Sequence, residues 1–284
     1  MLLKAGEAQA SSGSMPAAAQ HPRHLPVAPM DTRHHRIARA LGLARSLGLY
    51  YGNPLRNRRL ARLYAPFLGP DALGFDIGAH VGNRVRCWRA LGARVVAVEP
   101  QPDLLRVLSL LYGCDPAVTL IPEAVGARPG QAPLWVSDLH PTVTTLSAAW
   151  AEEVGRGPGF RGVRWRQAGE VRVTTLDELI RHFGMPDFIK IDVEGLEGEV
   201  LAGLSQPPSA LSFEYLTVAR DRALACVDRL EALGEYRYNS SQGESHRLAW
   251  TPWLDAAGMR AALPRLTQGS GDVYAWRTDV ASGT

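Results

Sequence analysis

Short apolar runs alternate with segments of helical spacing along most of the chain. Each apolar run predicts a buried strand, and apolar positions spaced by three and four residues predict a helix. The predicted strands are Leu73–Ile77, Arg94–Val98, Val118–Ile121, Ala132–Val136, Glu170–Val173, Asp187–Ile191 and Ala210–Phe213. The predicted helices are His35–Tyr50, Arg56–Phe67, Val81–Leu91, Pro102–Leu111, Leu176–Phe183, Glu197–Leu204 and Arg220–Leu233. Repeated strand–helix units imply a parallel sheet with helices on both faces.

The C-terminal region carries strand-like segments that predict antiparallel strands over Tyr236–Asn239, Arg247–Trp250 and Val273–Trp276. The whole pattern predicts an α/β fold: a doubly wound, mostly parallel sheet with an antiparallel C-terminal strand and an N-terminal helical cap. Such sheets bind ligands beyond the carboxyl ends of their strands, at the point where the winding reverses.

The same pattern divides the chain into four parts. Residues 1–32 are rich in Ala, Ser, Pro and His and lack apolar periodicity, so we expect a disordered extension in which Met30 is an alternative start. Residues 33–70 are expected to form a basic helical cap, residues 71–278 the main domain, and residues 279–284 a tail.

Positive charge is concentrated in the cap, although the formal net charge of the chain is only +3. The arginines are Arg33, Arg36, Arg39, Arg45, Arg56, Arg58, Arg59 and Arg62, and Asp31 is the only acid nearby. Such a stripe can meet nucleic acid, anionic lipid or a phosphorylated substrate, and it can equally be a solvated helix face. No known nucleic-acid module accompanies it, so we expect no nucleic-acid partner.

The three cysteines, Cys87, Cys114 and Cys226, are far apart and odd in number. This argues against a disulfide framework or a zinc site and favours a reducing compartment. No apolar run reaches the roughly 20 residues needed to cross a bilayer, and no signal-peptide core follows the first residues. We therefore expect a cytoplasmic protein, and the sequence leaves its oligomeric state open.

The first candidate site is the stretch FDIGAHVGN, residues 75–83, where a strand turns into a helix. Gly78 permits a tight turn and a close ligand approach, and Gly82 lets the helix start pack near the strand. Asp76 at the strand tip suits a cationic or hydroxyl-bearing group, while the helix N-terminus favours a carboxylate. The amino-acid part of S-adenosylmethionine offers both an ammonium and a carboxylate. An ordinary strand–turn–helix connection is the alternative.

The second candidate is Glu99, which ends the next predicted strand. It lies at the roughly 20-residue offset at which an acid binds ribose hydroxyls in nucleotide-binding sheets, and a carboxylate accepts from both vicinal hydroxyls. Alone, Glu99 could be a surface acid. With Asp76 and the glycines it predicts ribose binding.

The third candidate follows the predicted strand Asp187–Ile191, which Lys190 interrupts. Asp192 and Glu194 are expected at the carboxyl edge of the sheet, where they could act as general base or anchor a substrate hydroxyl. With Glu197 they also supply the oxygen ligands that Mg²⁺ or Ca²⁺ prefers. Acids at a helix start that interact with its dipole look the same, so we predict no metal.

These motifs together resemble the FkbM family of methyltransferases. The resemblance rests on FDIGAHVGN, VVAVEPQP, AVG, VTTLDEL and DFIKIDVEGLEGEVL, in this order between about Gly74 and Glu214. It implies a class I methyltransferase fold, S-adenosylmethionine as methyl donor, and O-methylation of a hydroxyl on a small molecule, sugar or other secondary metabolite. Asn often stands in this family where this chain has His80, so the resemblance assigns His80 no role.

The resemblance also implies roles for the cofactor-binding residues. Asp76, Gly78 and Gly82 would hold the methionine part, Glu99 the ribose, and Glu123 and Ala124 would border the adenine. Ala79 and Pro100 are also predicted to bind the cofactor.

Removal of the acceptor proton is then the main chemical task of the protein. Asp192 is the first candidate for base or hydroxyl anchor, Glu194 the second, and His140 in the loop Asp138–Pro141 the third, although a lone loop histidine is more often a surface residue. Glu214 ends a strand at the same edge and could also face the acceptor.

Two other classes of function stay open. A nicotinamide-dependent dehydrogenase would use a similar fold, but the spacing Gly-x-x-x-Gly and the acid at Asp76 differ from the dinucleotide pattern Gly-x-Gly-x-x-Gly. A noncatalytic module could keep the cofactor and lose the chemistry, and the presence of Asp192 and Glu194 argues against it.

Overall fold

The computed structural model describes residues 33–137, 143–155, 163–267 and 269–281. The predicted extension over residues 1–32 lies outside these ranges. Within them, no helix is long and apolar enough to span a membrane.

The helices largely follow the predicted apolar spacing. They are α1 (Arg33–Tyr51), α2 (Pro54–Tyr64), α3 (Asn83–Ala90), α4 (Pro102–Tyr112), α5 (Ala148–Gly155), α6 (Leu176–Phe183), α7 (Glu197–Ala202), α8 (Arg220–Glu231), α9 (Ala256–Ala262) and α10 (Thr278–Ala281). Helix α2 begins two residues before its predicted start because the Asn53 side chain accepts from the N–H groups of Leu55 and Arg56. Helix α3 begins two residues later than predicted, because Gly82 adopts a left-handed φ of 80°.

The strands form two sheets. They are β1 (Leu73–Ile77), β2 (Arg94–Val98), β3 (Val118–Ile121), β4 (Ala124–Val125), β5 (Gly130–Val136), β6 (Arg166–Thr174), β7 (Phe188–Ile191), β8 (Ala210–Leu216), β9 (Tyr236–Gln242) and β10 (Ser270–Arg277). The large sheet has the order β3-β2-β1-β7-β8-β10-β9. Its first five strands are mutually parallel, and β10 lies antiparallel between β8 and β9. The predicted doubly wound fold with an antiparallel C-terminal strand is confirmed.

A second sheet, with the order β4-β6-β5, was not predicted as a separate unit. The periodicity indicated only isolated strand-like pieces, because β4 is two residues long. A cluster of Trp135, Trp150 and Trp165 packs beside this sheet and includes the unpredicted helix α5.

The predicted strand Arg247–Trp250 is wrong. The Asn239 side chain binds this segment directly: its Oδ1 accepts from Ala249 N and Trp250 N at 3.0 and 3.1 Å, and its Nδ2 donates to Trp250 O at 2.8 Å. One side chain thus takes the place of a strand ladder. The helix α9, also unpredicted, follows with Asp255 as its N-cap.

Helix α2 and the turn after it pack into the core of the large sheet. Phe67 contacts Phe188 on β7 at a centroid distance of 4.8 Å and Trp276 on β10 at 5.1 Å. Leu60, Leu63 and Tyr64 belong to the same buried cluster. The N-terminal helices therefore share a core with the central and C-terminal strands.

Candidate functional site

A cavity of about 420 Å³ lies at the carboxyl ends of β1, β2, β7 and β8, where the winding of the sheet reverses. Helix α1 contributes to its wall through Ser46, Leu49 and Tyr50. The small sheet and its neighbouring loop contribute Leu134 and Thr144. The site is therefore where the topology predicts a ligand, and it is closed in part by elements outside the large sheet.

The glycine loop after β1 is held by backbone contacts. Gly78 N and Ala79 N both donate to Val98 O, at 2.9 and 3.1 Å. Gly78 has a φ of +81°, and a Cβ there would lie 1.9 Å from Asp192 O. A side chain at this position would therefore push the first loop away from the loop after β7.

Ala79 and Gly82, both predicted to hold the cofactor, do not line this cavity. Ala79 is fully buried. A Cβ at Gly82 would lie 2.6 Å from the Tyr112 ring and 2.7 Å from Leu108 Cδ2. Gly82 thus permits close packing of the loop against α4 rather than against the strand.

Glu99 lies at the end of β2 and lines the cavity, although only 4% of its surface is exposed. Its Oε2 accepts from His80 N and its Oε1 from Gln101 N, both at 2.9 Å. Burial raises the pKa of Glu99 to about 7, and these two N–H groups oppose the shift. A carboxylate has about four lone-pair sites, so Glu99 can accept two more donors.

Pro100, Glu123 and Ala124 line the cavity together with Glu99, and Glu123 and Ala124 are the residues predicted to border the adenine. The carboxylate of Glu123 lies 3.4 Å from the Arg172 guanidinium on β6. The small sheet therefore helps to position this wall.

Asp76, predicted to meet the cofactor ammonium, is fully buried and does not line the cavity. Its Oδ1 accepts from Arg84 Nε at 2.7 Å, and its Oδ2 has no partner among the described residues. Arg84 also donates to Asp192 Oδ2 at 3.0 Å and to Gly78 O at 2.7 Å. The charged group that reaches the cavity here is therefore Arg84, and no pattern in the sequence indicated a role for it.

Lys190 on β7 is a second buried cation, with 2% of its side chain exposed. Its Nζ lies 2.8 Å from Asp272 Oδ1 on β10 and 3.5 Å from Asp192 Oδ2. Burial opposes its charge, but Asp192 and Asp272 outweigh burial and raise the pKa of Lys190. The interruption of an apolar strand by a lysine was the sequence signal for this residue.

Three carboxylates meet in the cavity where β7 and β8 end. Oxygens of Asp192, Glu194 and Glu214 all lie within 4.8 Å of one another. Burial would raise the pKa of Asp192, but Lys190 and Arg84 outweigh it and hold the value below its usual range. Burial and the neighbouring acids Asp192 and Glu197 raise the pKa of Glu194 well above its usual range. The arrangement separates an ionised carboxylate from one with high proton affinity.

Glu197, considered above as a third oxygen ligand beside Asp192 and Glu194, does not join this cluster. Its Oε1 accepts from Val193 N at 3.3 Å and from Gly195 N at 3.2 Å, so it closes the loop before α7. Glu214 completes the cluster instead. Oxygens at this spacing suit shared protons or a hard cation.

The lining of the cavity also includes His246 and Glu244, which follow β9 and which the sequence analysis did not select. His246 Nε2 lies 3.4 Å from the Glu244 carboxylate, which pairs with Arg56 on α2. The Arg56 guanidinium lies 4.7 Å from the centre of the Tyr50 ring on α1. Long-range folding brings these residues together, and no local spacing indicates it.

His80 lines the cavity with a left-handed φ of 51°, and its ring contacts Tyr50 edge-on at 5.5 Å. Burial lowers the pKa of His80 to about 4, so its imidazole is neutral at pH 7. The predicted candidate His140 lies outside the described residues.

Comparison with known families finds one model that covers much of the chain. The model of the methyltransferase FkbM domain matches residues 76–224, which is more than half of the sequence. This range contains every residue predicted above to bind the cofactor, and it also contains Asp192, Glu194 and Glu214.

Individual proteins are more distant. Ribosomal RNA small subunit methyltransferase A of Anaeromyxobacter dehalogenans is 29% identical over 217 residues, which cover 74% of this chain and 68% of the relative. Among solved structures, a TehB-like S-adenosylmethionine-dependent methyltransferase from Corynebacterium glutamicum has a TM-score of 0.44 at 12% identity, covering 86% of this chain and 98% of its own. Aeropyrum pernix fibrillarin with natively bound S-adenosylmethionine has a TM-score of 0.40 at 11% identity, with coverages of 74% and 68%.

Proposed function

The chain belongs to the FkbM methyltransferase domain family, and from this premise we propose that it methylates a hydroxyl oxygen of a small molecule, sugar or other secondary metabolite. Family membership makes it an S-adenosylmethionine-dependent methyltransferase. The proposal concerns the acceptor. One observation carries it: a single cavity joins Glu99 at the cofactor end to the carboxylates of Asp192, Glu194 and Glu214.

The residues at the cofactor end fit S-adenosylmethionine. Glu99 accepts one N–H at each oxygen and retains lone pairs for the two ribose hydroxyls. Arg84 uses three of its five N–H donors within the protein, and two remain for the carboxylate of the methionine part. Asp76 then acts by holding Arg84, while Pro100, Glu123 and Ala124 border the nucleoside.

When bound, S-adenosylmethionine supplies an electrophilic methyl group, so the cofactor carries the difficult chemistry. The protein must hold the acceptor oxygen in line with that group and receive the hydroxyl proton. Methyl transfer would release the hydroxyl proton of the acceptor to a carboxylate and leave a methyl ether and S-adenosylhomocysteine.

Glu194 and Asp192 divide the acceptor-side work in this proposal. Lys190 and Arg84 hold Asp192 ionised, so it accepts the hydrogen bond of the acceptor hydroxyl and orients it. Glu194 has the higher proton affinity and receives the proton, in accord with the rule that neighbouring acids with separated pKa values have different roles. His140 remains a predicted third candidate.

The test combines cofactor binding with methyl transfer. We expect S-adenosylhomocysteine, but not NAD, to bind in calorimetry, and Glu99→Gln to weaken that binding about tenfold or more, because two hydrogen bonds to a charged acceptor are lost. Glu194→Gln should leave the affinity within about twofold and lower methyl transfer at least about a hundredfold, the usual range for losing a general base. Glu199→Gln, an exposed acid on α7, is the matched control for both.

Methyl transfer is followed with tritiated S-adenosylmethionine and two acceptor sets, hydroxyl-bearing small molecules and RNA. Transfer to the small molecules supports the proposal. Label in RNA alone would contradict it and favour the nucleic-acid acceptor suggested by similarity to the ribosomal RNA enzyme. Binding of NAD instead of S-adenosylhomocysteine would contradict the cofactor assignment.

A cytoplasmic location belongs to the same proposal. All three cysteines are unpaired, as is usual in a reducing compartment.

A further inference from the structure

The outward face of α1 is mainly apolar. The exposed positions of its described part recur as pairs one turn apart: Ala40, Leu41, Ala44, Arg45, Gly48 and Leu49. Leu41 is 62% exposed and Leu49 is 54% exposed. Such a stripe normally faces a protein core, but here the core side of the helix is formed by the intervening residues.

The outward face of α2 is basic. Leu55, Arg58, Arg59 and Arg62 recur at the spacing of one helix side, and all four are exposed, Leu55 by 63%. No acidic residue occurs between residues 33 and 70. Arg39 and Arg56 pair with Asp103 and Glu244. In contrast, Arg45, Arg58, Arg59 and Arg62 form no salt bridge with any residue that the structure describes.

The two faces meet at the turn between the helices. Arg56 Nη1 donates to Leu49 O at 3.4 Å, and its guanidinium lies over the Tyr50 ring, so the start of α2 is fixed against the end of α1. Arg45 and Leu49 also line the cavity. An exposed apolar stripe, a row of unpaired arginines and one side of the cavity therefore adjoin one another.

We propose that the outward faces of α1 and α2 form a docking surface for an anionic lipid bilayer. The unpaired arginines complement the negative surface of such a bilayer. The exposed leucines insert into the boundary between headgroups and acyl chains, as the apolar side of an interfacial helix does. This surface holds the protein on the membrane with one wall of the cavity at the interface. The inference concerns where the protein acts and does not depend on the identity of the acceptor.

The leucines favour a bilayer over RNA. Binding of a phosphate backbone needs cationic side chains and no leucine, and single-stranded bases bind by stacking on aromatic rings. The exposed positions on these two faces contain leucine and alanine and no aromatic residue within the described part of the chain. Apolar side chains among the arginines have a role on a membrane and none on a phosphate backbone.

The test is co-sedimentation of the full chain with vesicles of phosphatidylcholine, with and without phosphatidylglycerol. We expect binding to the anionic vesicles only, weakened by salt. The triple variant Arg58→Glu, Arg59→Glu, Arg62→Glu should lose binding by about tenfold or more, since each cation near the surface contributes to attraction. The double variant Leu41→Ser, Leu55→Ser should also bind several-fold more weakly, by removal of the apolar contact.

Matched controls separate the surface from net charge and from folding. The triple variant Arg181→Glu, Arg237→Glu, Arg265→Glu changes the net charge equally at exposed positions on other elements, and Met185→Ser removes an exposed apolar side chain elsewhere. Both should bind the vesicles like the wild type, and S-adenosylhomocysteine binding checks the fold of every variant. Failure to bind anionic vesicles, as when another part of the chain covers this face, overturns the proposal. The proposal is also overturned, in favour of a polyanion site, by two results together. The leucine variant binds the vesicles with unchanged affinity, and the protein binds RNA in a way that depends on the arginines.

Discussion

At the scale of single residues, the site depends on glycine positions where a side chain would not fit and on buried charged groups. Gly78 lets the loop after β1 touch the loop that carries Asp192. Gly195 has the same function beside Glu194, because a Cβ there would lie 2.4 Å from the Trp150 ring. Glu99 is the opposite case, since burial of its carboxylate disfavours the ionised form.

Glu99 leads to a prediction about pH. Its folded pKa of about 7 lies above the usual value of 4.5, so the folded state binds this proton more tightly than the unfolded state. The contribution to stability is therefore fully present below pH 4.5 and is lost as the pH rises through 7. Relative to Glu99→Gln, which cannot ionise, the wild type should lose about 2–3 kcal/mol of unfolding free energy between pH 4.5 and pH 8.

Denaturant unfolding of both proteins at the two pH values measures this difference. As a control, Glu199→Gln on the exposed face of α7 should change the unfolding free energy only slightly, and by the same amount at both pH values. A constant gap between wild type and Glu99→Gln across the range would show that Glu99 titrates normally.

At the scale of elements, strands that are distant in sequence assemble the charged floor of the site. β7 carries Lys190, the loop after it carries Asp192, and β10 carries Asp272. Because β8 lies between β7 and β10, the lysine links non-neighbouring strands. The antiparallel insertion of β10 is thus what supplies the second carboxylate for the buried ammonium.

Lys190→Met should leave Asp272 without its buried cation and Asp192 with Arg84 alone. We expect the unfolding free energy at neutral pH to fall by about 2–4 kcal/mol, less than for a fully buried pair because both carboxylates are partly exposed. The loss should shrink at acidic pH, because the pKa of Asp192 rises when Lys190 no longer opposes the effect of burial.

The double variant Lys190→Met, Asp272→Asn is the control for this prediction. It also removes the negative charge of Asp272, which has lost its cation, and should recover part of the loss. The comparison is with Asp272→Asn in the wild type. If Asp272→Asn lowered the unfolding free energy by the same amount in the wild type and in Lys190→Met, the ion pair would have no energetic role.

At the scale of the whole molecule, the N-terminal helices and the main domain share one buried aromatic cluster. Phe67, after α2, contacts Phe188 on β7 and Trp276 on β10. Tyr64 contacts Trp88 on α3 at 5.3 Å. The proposed boundary between residues 70 and 71 therefore does not separate two cores.

Phe67→Ala should lower the unfolding free energy by about 3–5 kcal/mol, as is usual for removal of a buried ring. The unfolding should remain one transition, coincident by near- and far-ultraviolet circular dichroism, because the helices have no separate core. Leu41→Ala, an exposed change on α1, should shift stability by less than about 0.5 kcal/mol. An early separate transition in Phe67→Ala would instead indicate an independent cap.

The features that the sequence alone determined are local. Strand and helix periodicity predicted most elements of the large sheet, and the positions of Glu99, Asp192 and Glu194 at strand ends placed them at one edge, since parallel strands end together. The surroundings of Asp76, in contrast, could not be predicted locally. The sequence could not show that Arg84, eight residues later, would bind that carboxylate.

What only the tertiary structure decided depends on contacts between distant segments. The small sheet requires pairing of the two-residue strand β4 with β6, about fifty residues later. The Lys190–Asp272 pair requires β10 to enter between β8 and β9, and the wall of Tyr50, Arg56, Glu244 and His246 requires α1 and α2 to meet the loop after β9. Periodicity and spacing report the neighbours of a residue along the chain, whereas burial and charge pairing depend on neighbours in space. The chemical class and the methyl donor follow from the sequence, and the electrostatics around Asp192 and Glu194 follow from the fold.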